Sequence, residues 1–167
     1  MPTVHESTYV AKTAVLIGDI TIGKHCGIFP YAVLRGDENT IIIEDGSNVQ
    51  DCCVIHVDKK HAVHIGKNVS IGHGAIVHGA TIHDDCLIGI HATVLNGADV
   101  GEGSVIGANA LVTTDMKIPE NSLVLGIPGK IIKQDTTFRL TNRSNAETYQ
   151  HLAKNHKQGK YPIYLLE

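Results

Sequence analysis

Three histidines in aliphatic stretches are the residues of this chain whose type and spacing could do chemistry. His73 and His78 lie five residues apart in the segment SIGHGAIVHGA (70–80), and His56 lies upstream. Imidazole nitrogens bind Zn²⁺ at about 2.0–2.1 Å, and a site with three of them keeps a position for water, whose pKa falls toward ~7. Three imidazoles also suit Co²⁺ or Fe²⁺. A structural interpretation competes, because outward polar positions of a β-structure accept histidine as readily as asparagine or lysine.

The hydrophobic pattern of the chain predicts the structure that must hold these histidines. Aliphatic residues recur every six positions, apart from one five-residue step (77–82) and two longer gaps. This period is typical of a parallel β-helix in which each short strand forms one face of a prism. A small or apolar residue follows ten of them by four positions, and both series are expected to point inward. The aliphatic series is Ile22, Ile28, Leu34, Ile43, Val49, Ile55, Ile65, Ile71, Val77, Ile82, Ile88, Val94, Val100, Ile106 and Val112. The small series is Cys26, Ala32, Cys53, Val69, Ala75, Cys86, Ala92, Ala98, Ser104 and Ala110.

Counting the coils places Arg35, His56 and His78 in one outward column. Three hexads make one coil, and the longer gaps 34–43 and 55–65 each count as one hexad that carries a loop insertion. Each of the three residues follows an inward aliphatic residue by one position, and they are three hexads apart. We therefore expect them on one outer face, at successive strand spacings of about 4.8 Å.

His73 belongs to the preceding face of the prism. It follows an inward isoleucine by two positions, so Asp51 is expected directly beneath it, with Gln50 beside Asp51. Two stacked imidazoles, His56 and His78, are too few for a stable zinc site. Packing three prisms around a threefold axis would bring the His73 face of one subunit against the His56 and His78 face of the next. The pattern therefore favours a metal shared between subunits of a homotrimer.

The composition excludes several other classes of function. The chain has 167 residues and 17.9 kDa, which suits one domain with a real core, and its formal net charge of -3 gives no basic surface for nucleic acid or membrane. No apolar run reaches the ~18 residues of a spanning helix, and the N-terminus lacks the pattern of a secretion signal, so a cytoplasmic location is expected. No Cys-x-x-Cys spacing exists, and three of the four cysteines fall in the inward small series. Neither a disulfide framework nor a thiolate metal site is expected.

Several motifs, quoted as they stand in this sequence, resemble the γ-class carbonic anhydrase family. They are AVLRGDE (32–38), SNVQDCCVIH (47–56), VSIGHGAIVHGATI (69–82), SLVLGIPGK (122–130) and the C-terminal NAETYQHLAKNH. The resemblance implies a left-handed β-helix, a homotrimer, and a zinc ion held by His56 and His78 of one chain and His73 of its neighbour. It also implies reversible hydration of carbon dioxide to bicarbonate by a metal-bound hydroxide.

The same resemblance assigns roles to further positions. Gln50 matches the residue that hydrogen-bonds the solvent on the metal, and Asn48 matches a residue that helps to orient it. Glu38 matches an acidic residue proposed in proton transfer, and Tyr149 a tyrosine that leans into the site from the C-terminal helix. Three charged residues match those that form ion pairs around the pocket between subunits: Arg35, Asp37 and Asp51.

One segment departs from the pattern of the family. The link VDKKHAVH (57–64) is short and lacks the acidic loop that carries a second proton-transfer glutamate in other members. Asp58 or His61 could substitute, although both are interpreted as solvated loop residues. Two alternative functions stay open at this point: an acyltransferase or metal-dependent thioester hydrolase acting on a coenzyme A substrate, and a metal-stabilised scaffold without turnover.

The C-terminal segment is expected to differ from the rest of the chain. The six-residue period stops after Pro128-Gly129, which predicts a β-helix domain over residues 1–135 and a helix with a tail over residues 136–167. Ser144 and Glu147 form the pattern of a capping box, which predicts that the helix begins there and ends before Gly159. This helix should pack on the outside of the β-helix.

Overall fold

The six-residue period folds into short parallel strands that stack in three columns, one for each face of a prism. The computed structural model describes residues 1–164, so the last three residues of the predicted segment 136–167 lie outside the described residues. The first column contains the N-terminal halves of β3 (Val15–Ile22) and β5 (Val33–Ile43), then β7 (Val54–His56), β10 (Ile76–His78), β13 (Thr93–Val94) and β16 (Leu111–Val112).

The other two columns complete each coil. The second contains β1 (Thr3–Val4), the C-terminal halves of β3 and β5, then β8 (Val63–Ile65), β11 (Thr81–Ile82), β14 (Asp99–Val100) and β17 (Lys117–Ile118). The third contains β2 (Tyr9–Val10), β4 (Gly27–Ile28), β6 (Asn48–Val49), β9 (Ser70–Ile71), β12 (Leu87–Ile88), β15 (Val105–Ile106) and β18 (Ser122–Leu125). Strand β19 (Lys130–Gln134) runs antiparallel to β18 and closes this column.

The core consists of the two residue series that the sequence predicts to point inward. Every residue of the aliphatic series is at most 2% exposed, and every residue of the small series is at most 1% exposed. Full burial of one aliphatic side chain contributes about 1.5–3 kcal/mol, so the stacked series is the main source of stability. These findings confirm the predicted fold class, because the parallel-strand solenoid with one C-terminal helix matches a left-handed β-helix.

The C-terminal helix begins earlier than the sequence predicts. Helix α1 spans Thr137–Lys157, so Ser144 lies inside it and the predicted capping box is wrong. The carboxylate of Asp135 marks the true start, since it accepts hydrogen bonds from the backbone N–H and the hydroxyl of Thr137 at 3.0 and 2.6 Å. Those hydrogen bonds lower the pKa of Asp135 to about 2. The helix ends two residues before Gly159, as predicted.

Helix α1 packs on the outside of the solenoid, as predicted. Its buried Ala153 joins a small apolar cluster with Tyr9, Ala11 and Phe29 on the third column. A buried Asn142 donates hydrogen bonds to three backbone carbonyls of the solenoid. Across residues 1–164, no helix combines the length and the apolar character that a membrane crossing requires.

The buried cysteines give a first testable prediction. Burial raises the pKa of the Cys26 thiol to about 11 and the pKa of Cys53 and Cys86 to about 12, whereas Cys52 is exposed. Because the thiolate is the reactive species, these three should stay unmodified at pH 8. Titration with Ellman's reagent should detect at most one thiol per native chain and four in guanidinium. Rapid reaction of two or more thiols in the native protein would contradict the inward register.

Candidate metal centre

The first column of strands brings His56 and His78 together. Parallel pairing aligns Arg35 of β5 with His56 of β7, and His56 with His78 of β10, as the coil count predicts. The two imidazole rings lie 4.8 Å apart between centroids, and His56 Nδ1 lies 2.9 Å from His78 Nε2. The stacking of β7 on β10 therefore aims two ring nitrogens at one point.

The hydrogen bonds on the far side of each ring determine which nitrogens carry protons. Asp37 Oδ1 lies 3.2 Å from His56 Nε2, and an ionised carboxylate only accepts, so Nε2 carries the proton. Asn96 Oδ1 lies 2.6 Å from His78 Nδ1, and the amide nitrogen of Asn96 donates to Asp58. His78 Nδ1 is therefore the protonated nitrogen of that ring. Two lone pairs, on His56 Nδ1 and His78 Nε2, consequently face each other, and only a proton or a metal cation between them would make this favourable.

His73 lies on the neighbouring face, directly above Asp51 as predicted. It follows β9 in a turn closed by Gly74, whose φ of 67° favours glycine and where a Cβ would lie 2.4 Å from the ring of His91. His73 Nδ1 donates to Asp51 Oδ2 at 2.9 Å, which leaves Nε2 with its lone pair. The hydroxyl of Tyr149 on α1 lies 3.4 Å from that Nε2. Burial, and then the charge of Asp51, raise the pKa of Tyr149, so this hydroxyl stays a donor.

A chain of buried amides fixes the orientation of Gln50 beside His73. The backbone N–H of His73 donates to Gln50 Oε1 at 3.2 Å, and Gln50 Nε2 donates to Asn48 Oδ1 at 3.1 Å. Asn48 Nδ2 and Asn145 Nδ2 both donate to Ser70 Oγ at 2.9 Å. Gln50 is only 3% exposed, so a misoriented amide would leave buried polar groups unsatisfied. Its remaining N–H and lone pair are free to meet a ligand.

Gln50 and His73 form one side of a pocket of about 300 Å³. Asn145 and Tyr149 of the helix form another side, and Leu87 and Ile90 supply an apolar wall. The pocket thus combines directed polar groups with an apolar wall, an arrangement typical of small-molecule sites.

The predicted charged residues divide between the two faces. Arg35 and Asp37 form an ion pair of 2.6 Å beside His56, and this pair, followed by the hydrogen bond from His56, lowers the pKa of Asp37. Asp51 instead lies under His73. Glu38 follows Asp37 in β5 and its side chain is exposed.

A single chain does not assemble the complete three-histidine set. Among residues 1–164, no three His, Cys, Asp or Glu side chains come close enough to hold a metal ion. His73 lies on a different face from the His56 and His78 pair, so the three meet only if another chain supplies one of them. A shared site between subunits therefore stays a prediction.

Several residues of this site do not follow from the sequence pattern. Asn96 was not predicted, although the coil count aligns Val77 with Val94 and so places Asn96 near the end of β10. Ser70 and Asn145 were also missed, because they are 75 residues apart and meet only through the packing of the helix. Asp58 was interpreted as a solvated loop residue, yet it accepts hydrogen bonds from Asn96 and from three groups of its own loop.

Comparison with known proteins places this geometry in a family. Residues 79–114 match the repeat family described as bacterial transferase hexapeptide (six repeats), and residues 62–89 match the hexapeptide repeat of succinyl-transferase. A "Probable carbonic anhydrase" of Methanocaldococcus jannaschii is 52% identical over 152 residues, which cover 90% of this chain and 96% of that protein. The mitochondrial gamma carbonic anhydrase 1 of Arabidopsis thaliana is 36% identical over 174 residues, which cover 99% of this chain and 63% of that protein.

A solved structure supports the same placement at the level of the fold. The crystal structure of a hexapeptide transferase family protein from Anaplasma phagocytophilum matches with a TM-score of 0.88 and 34% identity, over 92% of each chain. The full-length relative at 52% identity is the more specific of these findings. This chain belongs to the γ-class carbonic anhydrase family of hexapeptide-repeat proteins.

Proposed function

We propose that this protein is a zinc-dependent carbonic anhydrase that interconverts carbon dioxide and bicarbonate at sites between the subunits of a homotrimer. The observation that carries the proposal is the arrangement of the three imidazoles. His56, His73 and His78 each donate one ring N–H to an outer acceptor, which leaves the other ring nitrogen with a free lone pair. Metal-binding histidines almost always have such an acceptor.

The donor set fits a divalent metal. Three neutral imidazoles leave the charge of Zn²⁺ intact, and when bound it lowers the pKa of water toward ~7, which supplies a nucleophile at neutral pH. Fe²⁺ and Co²⁺ accept the same donors. In this proposal His56 and His78 of one subunit and His73 of its neighbour hold the ion.

An apolar outward face supports the trimer. Val15, Val54 and Ile76 lie in register on the first column, beside the histidine pair, and are 45%, 38% and 39% exposed in the single chain. Ile17, next to this row, is 43% exposed. An apolar strip of this kind is typical of an interface, and a heterologous contact between faces turned by roughly 120° closes into a ring of three.

The pocket supports carbon dioxide as the substrate. The molecule has no net dipole, so the apolar wall of Leu87 and Ile90 can accept it without loss of hydrogen bonds. Gln50 presents a donor of fixed direction to one substrate oxygen, and Tyr149 presents a hydroxyl above His73. Glu38 lies in solvent beside Asp37, where a carboxylate can pass protons to buffer.

A second candidate function rests on the pair formed by His73 and Asp51. A histidine held by a carboxylate at 2.9 Å is the arrangement of a general base, and hexapeptide transferases share the fold. In that case the chain would act on an acyl group carried by coenzyme A and would need His73 but not His56 or His78. The third possibility, a metal-stabilised scaffold, would be supported if the protein bound metal but showed no turnover.

One assay distinguishes these functions. The protein is loaded with zinc, or with Fe²⁺ under anaerobic conditions, and carbon dioxide hydration is followed by stopped flow with a pH indicator. We expect hydration well above the uncatalysed rate, a trimeric mass by light scattering, and one metal per chain. Hydration at the uncatalysed rate by metal-loaded protein would favour the scaffold. Turnover of an acyl-coenzyme A thioester that survives His56→Ala and His78→Ala but not His73→Ala would favour the second candidate.

A further inference from the structure

A continuous hydrogen-bonded chain runs from His78 to the loop between β7 and β8. His78 Nδ1 donates to Asn96 Oδ1 at 2.6 Å, and Asn96 Nδ2 donates to Asp58 Oδ2. The carboxylate of Asp58 also lies 3.0 Å from the ring nitrogen Nδ1 of His61. The chain therefore begins at an inferred metal ligand and ends at a half-buried loop histidine.

The direction of every bond in this chain follows from the carboxylate. An asparagine side chain presents an oxygen at one end and an NH₂ group at the other, and either end could face His78. Asp58 can only accept, so it must face the NH₂ group, which turns the oxygen of Asn96 toward His78. That oxygen in turn requires a proton on His78 Nδ1 and leaves the lone pair on Nε2, the nitrogen that faces His56.

The loop holds Asp58 in place for this contact. The backbone N–H groups of Lys60 and His61 each donate to Asp58 Oδ1 at 2.8 Å. The side chain of Asn39 in β5 donates to the backbone carbonyl of Asp58 at 3.1 Å, which anchors the loop to the solenoid. Oδ1 of the carboxylate is thus held by the loop N–H groups, and Oδ2 accepts from Asn96.

The other two inferred ligands meet a carboxylate directly. His56 pairs with Asp37 and His73 pairs with Asp51. Only His78 reaches its carboxylate through an intervening amide. Each of the three imidazoles is therefore connected to a carboxylate. Asp58 plays for His78 the part that Asp37 and Asp51 play for the other two histidines.

We propose that Asp58 is a positioning residue of the metal centre, which acts through Asn96 to hold His78 in the tautomer that binds metal. The inference rests on the proposed function for the identity of the metal. It assigns a role to a loop whose role does not follow from the similarity to carbonic anhydrases. Neither Asp58 nor Asn96 is one of the three inferred ligands. Their effect is on the ring of His78.

Zinc affinity of the metal-free protein tests this role without reference to turnover. Competition with a fluorescent chelator should show roughly 10- to 100-fold weaker zinc binding for Asn96→Ala and for Asp58→Ala, the usual scale for loss of such an acceptor. Asp58→Asn keeps one oxygen for the two loop N–H groups but turns an NH₂ group toward Asn96, so it should weaken zinc binding by a similar factor while preserving the loop. Asp99→Ala is the matched control, because it removes a carboxylate from a surface histidine, His83, far from the site.

A double variant separates positioning from a general role in the loop. If Asp58 acts through Asn96, Asp58→Ala should weaken zinc binding no further in an Asn96→Ala background. In ¹⁵N spectra of the metal-free protein, His78 should carry its proton on Nδ1 in the parent and should lose this preference in both Asp58→Asn and Asp58→Ala.

Three results would overturn the inference. Parent-like zinc affinity in Asp58→Ala, or an equal loss in both backgrounds, would overturn the positioning role while the proposed function stands. A folded parent that binds no zinc would overturn both.

Discussion

His73→Ala should abolish zinc binding and slow carbon dioxide hydration by roughly 1,000-fold or more, because loss of an effect worth several kcal/mol at the metal corresponds to that factor. The two remaining imidazoles, His56 and His78, are too few to hold zinc stably. His56→Ala and His78→Ala should behave in the same way. Metal analysis after dialysis and stopped-flow hydration measure the two effects.

A surface histidine provides the control for these variants. His83 pairs with Asp99 on the second column, at 2.8 Å, and has no place in the inferred site. His83→Ala should keep one metal per chain and the hydration rate of the parent. Full metal occupancy in any of the three ligand variants would remove that histidine from the site.

Gln50→Ala should lower carbon dioxide hydration by roughly 10- to 100-fold and leave zinc stoichiometry and trimer mass unchanged. Gln50 contacts the backbone of His73 and the side chain of Asn48, so its direction is set by its neighbours. Its loss removes a donor that is fixed in the pocket, without removing a metal ligand.

The control for this variant is a glutamine with a similar bond elsewhere. Gln134 in β19 donates to the backbone carbonyl of Glu120 at 3.0 Å on an exposed edge. Gln134→Ala should hydrate carbon dioxide at the parent rate. Loss of zinc from Gln50→Ala would show that the amide supports the metal centre itself, and an unchanged rate would remove Gln50 from the reaction.

Much of the fold, and the alignment of the site residues on neighbouring strands, could be predicted by counting residues. In a parallel β-helix the period fixes which strands stack, so the alignment of Arg35, His56 and His78 follows from their positions alone. The same count places His73 above Asp51, because the turn after each strand repeats with the coil.

The contacts that the count could not give depend on side-chain direction and on the helix. Whether Asn96 points to His78 or to solvent depends on its rotamer and on the loop that carries Asp58. The bond between Asn145 and Ser70 depends on where α1 lies on the solenoid. The polar pattern at Ser144 resembles a cap and so predicts a start of α1 that is too late, whereas Asp135 is the residue that accepts from the first turn.

In the proposed site one subunit supplies His56 and His78 while its neighbour supplies His73, and mixing two inactive variants tests this arrangement most directly. His73→Ala keeps the histidine pair, and His56→Ala keeps His73. When the two are co-expressed in equal amounts, about three quarters of closed trimers contain both, and each mixed trimer has one intact interface of three. Recovery of about one quarter of the parent hydration rate is therefore expected.

The control is a second mixture, in which both substitutions lie on the same face of the prism. His56→Ala with His78→Ala leaves every histidine pair broken, so no interface is repaired and the activity should stay at the level of each variant alone. Recovery near one quarter from His73→Ala with His56→Ala, and none from the control mixture, is the predicted result. No recovery in mixed trimers that light scattering and two affinity tags show to have formed would contradict a site shared between subunits.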